Sequence, residues 1–124
     1  MKRSRVRMAW ALAAVLVPTA AMAGVAIGPV MSQWNRERHK VQAMLNGDRP
    51  YDQAAIEAAI RVYVSRANTV ADGLAGRAPA FADRFRQFAH DAEAAGAASA
   101  SSAAFRPRFE HLISDCDACH ASLN

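Results

Sequence analysis

Cys116, Cys119 and His120 stand within five consecutive residues of Ser114-Asp115-Cys116-Asp117-Ala118-Cys119-His120, and the chain has no other cysteine. On a helix, positions i, i+3 and i+4 share one face, so two thiols and one imidazole would project from the same side. Three such groups converging on one spot suit a large planar group better than a bare ion. A structural zinc site needs four protein ligands; no second cysteine pair exists, and His39, His90 and His111 stand elsewhere in the chain. A thioredoxin-like redox pair requires a strand leading into a helix, and the pattern around these residues is helical throughout. A plain Cys116–Cys119 disulfide is the remaining bland reading. Cys-x-x-Cys-His is the spacing of covalent c-type haem attachment: thiols add across the two vinyl groups, and the histidine ligates the iron from the proximal side.

The elements that must hold such a group are helical by pattern. The chain is rich in alanine, has few β-branched runs and shows no period-two alternation. Asn46-Gly47-Asp48-Arg49-Pro50, the stretch from Asp72-Gly73 to Pro79, and the low-complexity stretch from Gly96 to Ser102 divide it into four segments. Four segments joined by short links predict an all-α, up-down-up-down four-helix bundle, with the haem near the C-terminus of the last helix. Each segment carries an apolar seam at spacings of three and four. The first has Met31, Trp34, Val41 and Leu45, interrupted by Arg38; the second has Ile56, Ile60, Tyr63, Ala67 and Val70. The third has Phe81, Phe85, Phe88 and Ala92; the fourth runs Phe105, Phe109, Leu112, Cys116, Cys119, Leu123. Asp52 is a suitable N-cap for the second segment, and Tyr51 and Ile56 stand where a hydrophobic staple needs them. Pro107 cannot sit deep inside a helix, which predicts that the fourth helix begins near Arg106.

The N-terminal segment reads as a secretory signal. Lys2, Arg3, Arg5 and Arg7 precede an apolar run from Met8 to Val17, and Ala21-Met22-Ala23 offers a small-x-small cleavage site. Residues 1–23 are therefore expected to be a signal peptide and residues 24–124 the functional domain, exported to the periplasm. If the segment is retained, apolar residues as far as Met31 would make it a membrane anchor, interrupted by Pro18, Gly24, Gly28 and Pro29. Removing the four basic residues of the segment from the chain's fifteen leaves eleven, against eleven acidic residues. The domain is formally neutral, so net charge gives no reason to expect a nucleic-acid partner. A domain of about 100 residues has a marginal core, which a bulky cofactor would supplement.

Read together, these residues resemble a class II c-type cytochrome of the cytochrome c prime family, a four-helix bundle with Cys-x-x-Cys-His near its C-terminus. The stretch Val41-Gln-Ala-Met-Leu-Asn-Gly-Asp-Arg-Pro-Tyr-Asp-Gln-Ala-Ala-Ile-Glu-Ala-Ala-Ile60 is similar to the family's first helix end, turn and aromatic-Asp start of the second helix. The likeness spans residues 30–124, strongest at the haem motif and faint through the third helix. Topology and resemblance converge on a distal ligand. In an alternating bundle the start of the first helix lies at the same end as the end of the fourth, so Met31 is placed to face His120. Met44 lies roughly 20 Å further along the axis. The family's low-spin members ligate iron with a methionine at the position of Met31; others have an apolar residue there and a five-coordinate iron. Met31 as ordinary core is the alternative reading. His39, among charged neighbours, is expected to be solvated.

The same topology assigns Val70, Leu74, Phe81 and Phe85 to the haem wall, with Trp34 nearby and ordinary core as the alternative, and offers Arg38, Arg66, Arg77 and Arg84 either to its propionates or to solvent. Two departures stand out: Ile27 occupies the place where members carry a propionate-binding arginine, and Gly28-Pro29 fall where the first helix should already be established. A haem with both axial positions filled suits electron transfer, so the expected function is a periplasmic mono-haem electron carrier serving redox proteins. A five-coordinate gas-binding haem protein is the first alternative, and a haem-free helical interaction module the second. No Ser/His/Asp set, phosphate loop or carboxylate pair points to an enzyme. A homodimer is left open, as is membrane association through a retained signal segment.

Overall fold

The computed structural model describes residues 27–123, side chains to residue 121, as four α-helices with no strand among them. They are α1 (Ile27–Leu45), α2 (Gln53–Leu74), α3 (Pro79–Ala97) and α4 (Ser102–Leu123). The proposed signal segment lies outside the described residues. No helix among those described is long and apolar enough to cross a membrane.

Local chemistry accounts for most of the helix ends. At α1, Pro29 falls in the first turn of the described helix, where a proline is tolerated. Gly28 and Pro29 both lie within the helix, which is described from Ile27. It closes at Gly47, whose φ of 83° lets the chain reverse so that the Asp48 N–H reaches the Ala43 carbonyl at 2.9 Å. A side chain at this φ would be strained, which is why glycine stands there. Asp52 caps α2 as expected, its carboxylate accepting from the Ala55 N–H at 3.3 Å.

Two boundaries differ from the sequence expectation. α2 continues through Gly73 to Leu74, and α4 begins at Ser102 with Pro107 inside it rather than near Arg106. Ser101 supplies the start, its hydroxyl accepting from the Ala104 N–H at 3.1 Å. Phe105, in the turn before the proline, is fully buried and stacks on Phe109 with ring centroids 5.5 Å apart. That burial, about 1.5–3 kcal/mol for a phenylalanine, offsets much of the cost of roughly 3 kcal/mol for an interior proline.

Contacts at the helix ends fix alternating directions. Tyr51 Oη, at the start of α2, donates to the Ser99 carbonyl just past α3 at 2.6 Å, and Arg106 of α4 donates to the Leu45 carbonyl at the end of α1. The core between them joins Val41, Ile56, Tyr63, Phe88, Phe105, Phe109 and Leu112. α2 and α3 approach closely because their facing positions are largely small: Ala59, Ala67, Ala71, Ala82, Ala89, Ala92 and Ala95 are all buried. Gly96 continues this seam, where an added Cβ would lie 3.0 Å from Ile60 Cγ2. Trp34 anchors α1 by stacking on Phe88 at 4.5 Å, and Tyr63 Oη donates to the Trp34 carbonyl at 3.0 Å.

Candidate functional site

The aromatic clamp on Trp34 determines which way the first turns of α1 face. With Trp34 turned into the core, Met31, one turn earlier on the same face, lies beside it. The alternation of the helices brings the end of α4 to the same end of the molecule. The result is a cavity of about 580 Å³, counted to its open mouth, whose lining includes Met31, Cys116, Cys119 and His120. All four sequence-predicted site residues thus meet on one cavity.

Trp34, Phe85 and Phe88 form the apolar wall, and Arg84 and Gln87 add polar groups from α3. The Trp34 indole Nε1 is buried with no hydrogen-bond partner, an orphan donor on a residue of this wall. A second space, of about 400 Å³, touches Met31, Phe85 and Cys119 and is otherwise walled by Ile27, Leu74 and Phe81. Of the expected wall residues, Trp34, Phe85, Leu74 and Phe81 therefore meet one of the two spaces; Val70 is buried in the core instead.

The arginines separate by environment. Arg84 lines the cavity, and half-buried Arg38 acts electrostatically on Cys116. Arg66 is exposed and donates to Gln33 Oε1 at 3.1 Å, and Arg77 is exposed. His39 is exposed, as expected, and Met44 is buried in the core away from both spaces.

Cys116 and Cys119 are half-buried thiols with no disulfide between them. Burial pushes the Cys116 thiol up to about 11, with Arg38 opposing and the carboxylates of Asp117 and Asp115 adding to the shift. Thiol–disulfide catalysis needs the reverse, a thiol lowered toward neutrality. The cavity thus holds two partly sheltered thiols on one helical face, an imidazole at its exposed rim and a thioether from α1.

Sequence reasoning overlooked the polar group beside this cavity. Asp115, on its lining, lies beside Asp91 of α3. Burial first, and then Asp91, push Asp115 up to about 6; Asp91 is held below its ordinary value, chiefly by the Asp115 carboxyl facing it. The signal available in sequence was His111 and Asp115 at i, i+4, but the partner on α3 lies 20 positions before His111 and only packing reveals it.

No protein-family model, curated protein or solved structure matches the chain.

Proposed function

We propose that the protein is an exported mono-haem c-type cytochrome acting as an electron carrier, built on an up-down-up-down four-helix bundle of the cytochrome c prime type. The observation that carries this reading is the meeting of Met31, Cys116, Cys119 and His120 on one cavity. The residues fit the group: an apolar face formed by Trp34, Phe85 and Phe88 suits a macrocycle, while Arg84 and the unpartnered Trp34 N–H suit its anionic edge.

In this reading Cys116 and Cys119 hold the haem covalently through thioether bonds. His120 and Met31 would ligate its iron. The haem, when bound, supplies a one-electron couple, whose potential the axial ligands and the burial of the site adjust. The protein's own part is to fix the two cysteines and the histidine on a single helix and to exclude water with the aromatic wall. It also anchors α1, one turn after Met31, through the Trp34–Phe88 stack and the Tyr63 hydrogen bond. Export would place the domain in the periplasm, with redox proteins as partners.

Absorption spectra of the purified protein, oxidised and reduced, together with haem staining after denaturing electrophoresis, test the proposal. Covalent haem should be seen in the wild type and lost when Cys116 and Cys119 are both changed to Ala. Stable, haem-free wild type from cells with working haem-attachment machinery would overturn it. A ferrous wild type that is already high-spin would instead favour the five-coordinate gas-binding form.

A further inference from the structure

Beside the thiol-lined cavity, α3 and α4 face each other across a second set of donors. His111 and Asp115 lie one turn apart on α4 and so share a face, and Asp91 meets them from α3. One nitrogen of His111 and one oxygen of each aspartate lie within 4.8 Å of one another. The Asp91 side chain is only 11% exposed. Its Oδ1 accepts from Gln87 Nε2 at 3.0 Å and has His90 Nδ1 at 3.5 Å. Its Oδ2 is buried with no hydrogen-bond partner, 3.4 Å from His111 Nε2. Asp115 Oδ2 is buried and unpartnered as well.

We propose that Asp91, His111 and Asp115 bind one divalent transition-metal cation that bridges α3 and α4. Two neighbouring carboxylates, each with a buried oxygen that receives no hydrogen bond, need a positive charge or a proton between them. A protonated His111 alone does not meet the need: 3.4 Å is long for a hydrogen bond, and Asp115 Oδ2 stays unpartnered. A shared proton joins the carboxylates but gives the imidazole no role. A cation satisfies all three groups together. Two ligands each about 2.0–2.1 Å from a tetrahedral ion lie roughly 3.3 Å apart, close to the His111–Asp91 separation already present. Three protein donors and an open side are the pattern of an incomplete tetrahedral site whose fourth position takes water; His111, 65% exposed, lies on that side. An imidazole among the donors favours zinc-like ions over calcium or magnesium, which prefer oxygen alone.

The test is calorimetric titration of the purified full chain with zinc, after chelator treatment and with any reactive thiols alkylated. One zinc per chain should bind, and Asp91→Asn and His111→Gln should each weaken binding by at least tenfold. Zinc should also raise the wild-type melting temperature and leave that of the variants unchanged. Because His111 is exposed, His111→Gln should keep its helical circular dichroism, so the test does not depend on Asp91→Asn folding. No binding, equal binding by His111→Gln, loss of binding on thiol alkylation, or calcium binding as tightly as zinc would each overturn the proposal. No zinc binding together with a shared carboxyl proton detected by infrared spectroscopy would assign the pair to a proton alone.

Discussion

Met31 and Met44 stand on the same helix, and the structure assigns them opposite consequences when truncated. Met44 is 8% exposed and packs in the core, so Met44→Ala should cost the full range for a buried methionine, about 2–5 kcal/mol. Met31 is half-buried at the cavity, and by packing alone its truncation should cost roughly half as much, about 1–2 kcal/mol. At about 4–8 °C per kcal/mol for a domain of this size, Met44→Ala should lower the melting temperature by at least ~8 °C. Packing alone therefore makes Met44→Ala the more damaging change. Iron ligation by Met31 predicts the reverse for the spectrum. Met31→Ala should convert a low-spin ferrous haem to high-spin, while Met44→Ala leaves the bands in place. If Met31 ligates the iron, carbon monoxide must displace the thioether in wild type, and each 1.36 kcal/mol needed to open that bond slows entry about tenfold. Stopped-flow mixing of the ferrous proteins with carbon monoxide should show Met31→Ala faster by tenfold or more, and Met44→Ala unchanged from wild type. Equal rates for wild type and Met31→Ala, with both high-spin, would refute ligation and leave Met31 as a wall residue. A spectral change in Met44→Ala of the same kind would show that loss of packing alone mimics ligand removal.

Two further outcomes test the packing and the polar pair. Phe109, 2% exposed and stacked on Phe105, should cost about 3–5 kcal/mol when changed to Ala, read by thermal melting; a loss under 1 kcal/mol would mean that α4 is not held through this seam. Asp115 is pushed up to about 6 in the fold from an ordinary 3.8, so the folded state keeps a proton that the unfolded chain has lost. This contribution makes stability fall as pH rises from about 4 to 6 and stay reduced above that. Asp91, shifted downward, acts only below its ordinary 3.8 and in the opposite sense. Melting in chelator should thus show wild type losing stability between pH 4 and 6 and Asp115→Asn nearly flat, with the same slope in both proteins counting against the assignment.

The sequence by itself determined the class of local structure and the donor set. Helical periodicity was legible in the seams from Trp34 to Leu112, because the spacing of apolar residues depends only on helix geometry. The Asp52 cap was legible because its partner is three residues away. Cys116, Cys119 and His120 could be placed on one face for the same reason. Pro107 misled because local propensity takes no account of what Phe105 gains by burial with Phe109 across the proline. The meeting of Met31 with His120 across 89 positions followed from the alternation of four helices, but tertiary structure alone decided that Trp34 meets Phe88 and Tyr63, and Asp91 meets His111 and Asp115. These depend on the rotation and approach of whole helices, set by small residues at the α2–α3 seam and by aromatic stacking on Trp34. No spacing along the chain encodes that rotation, so the orphan Trp34 nitrogen and the facing carboxylates emerge only once the helices are packed.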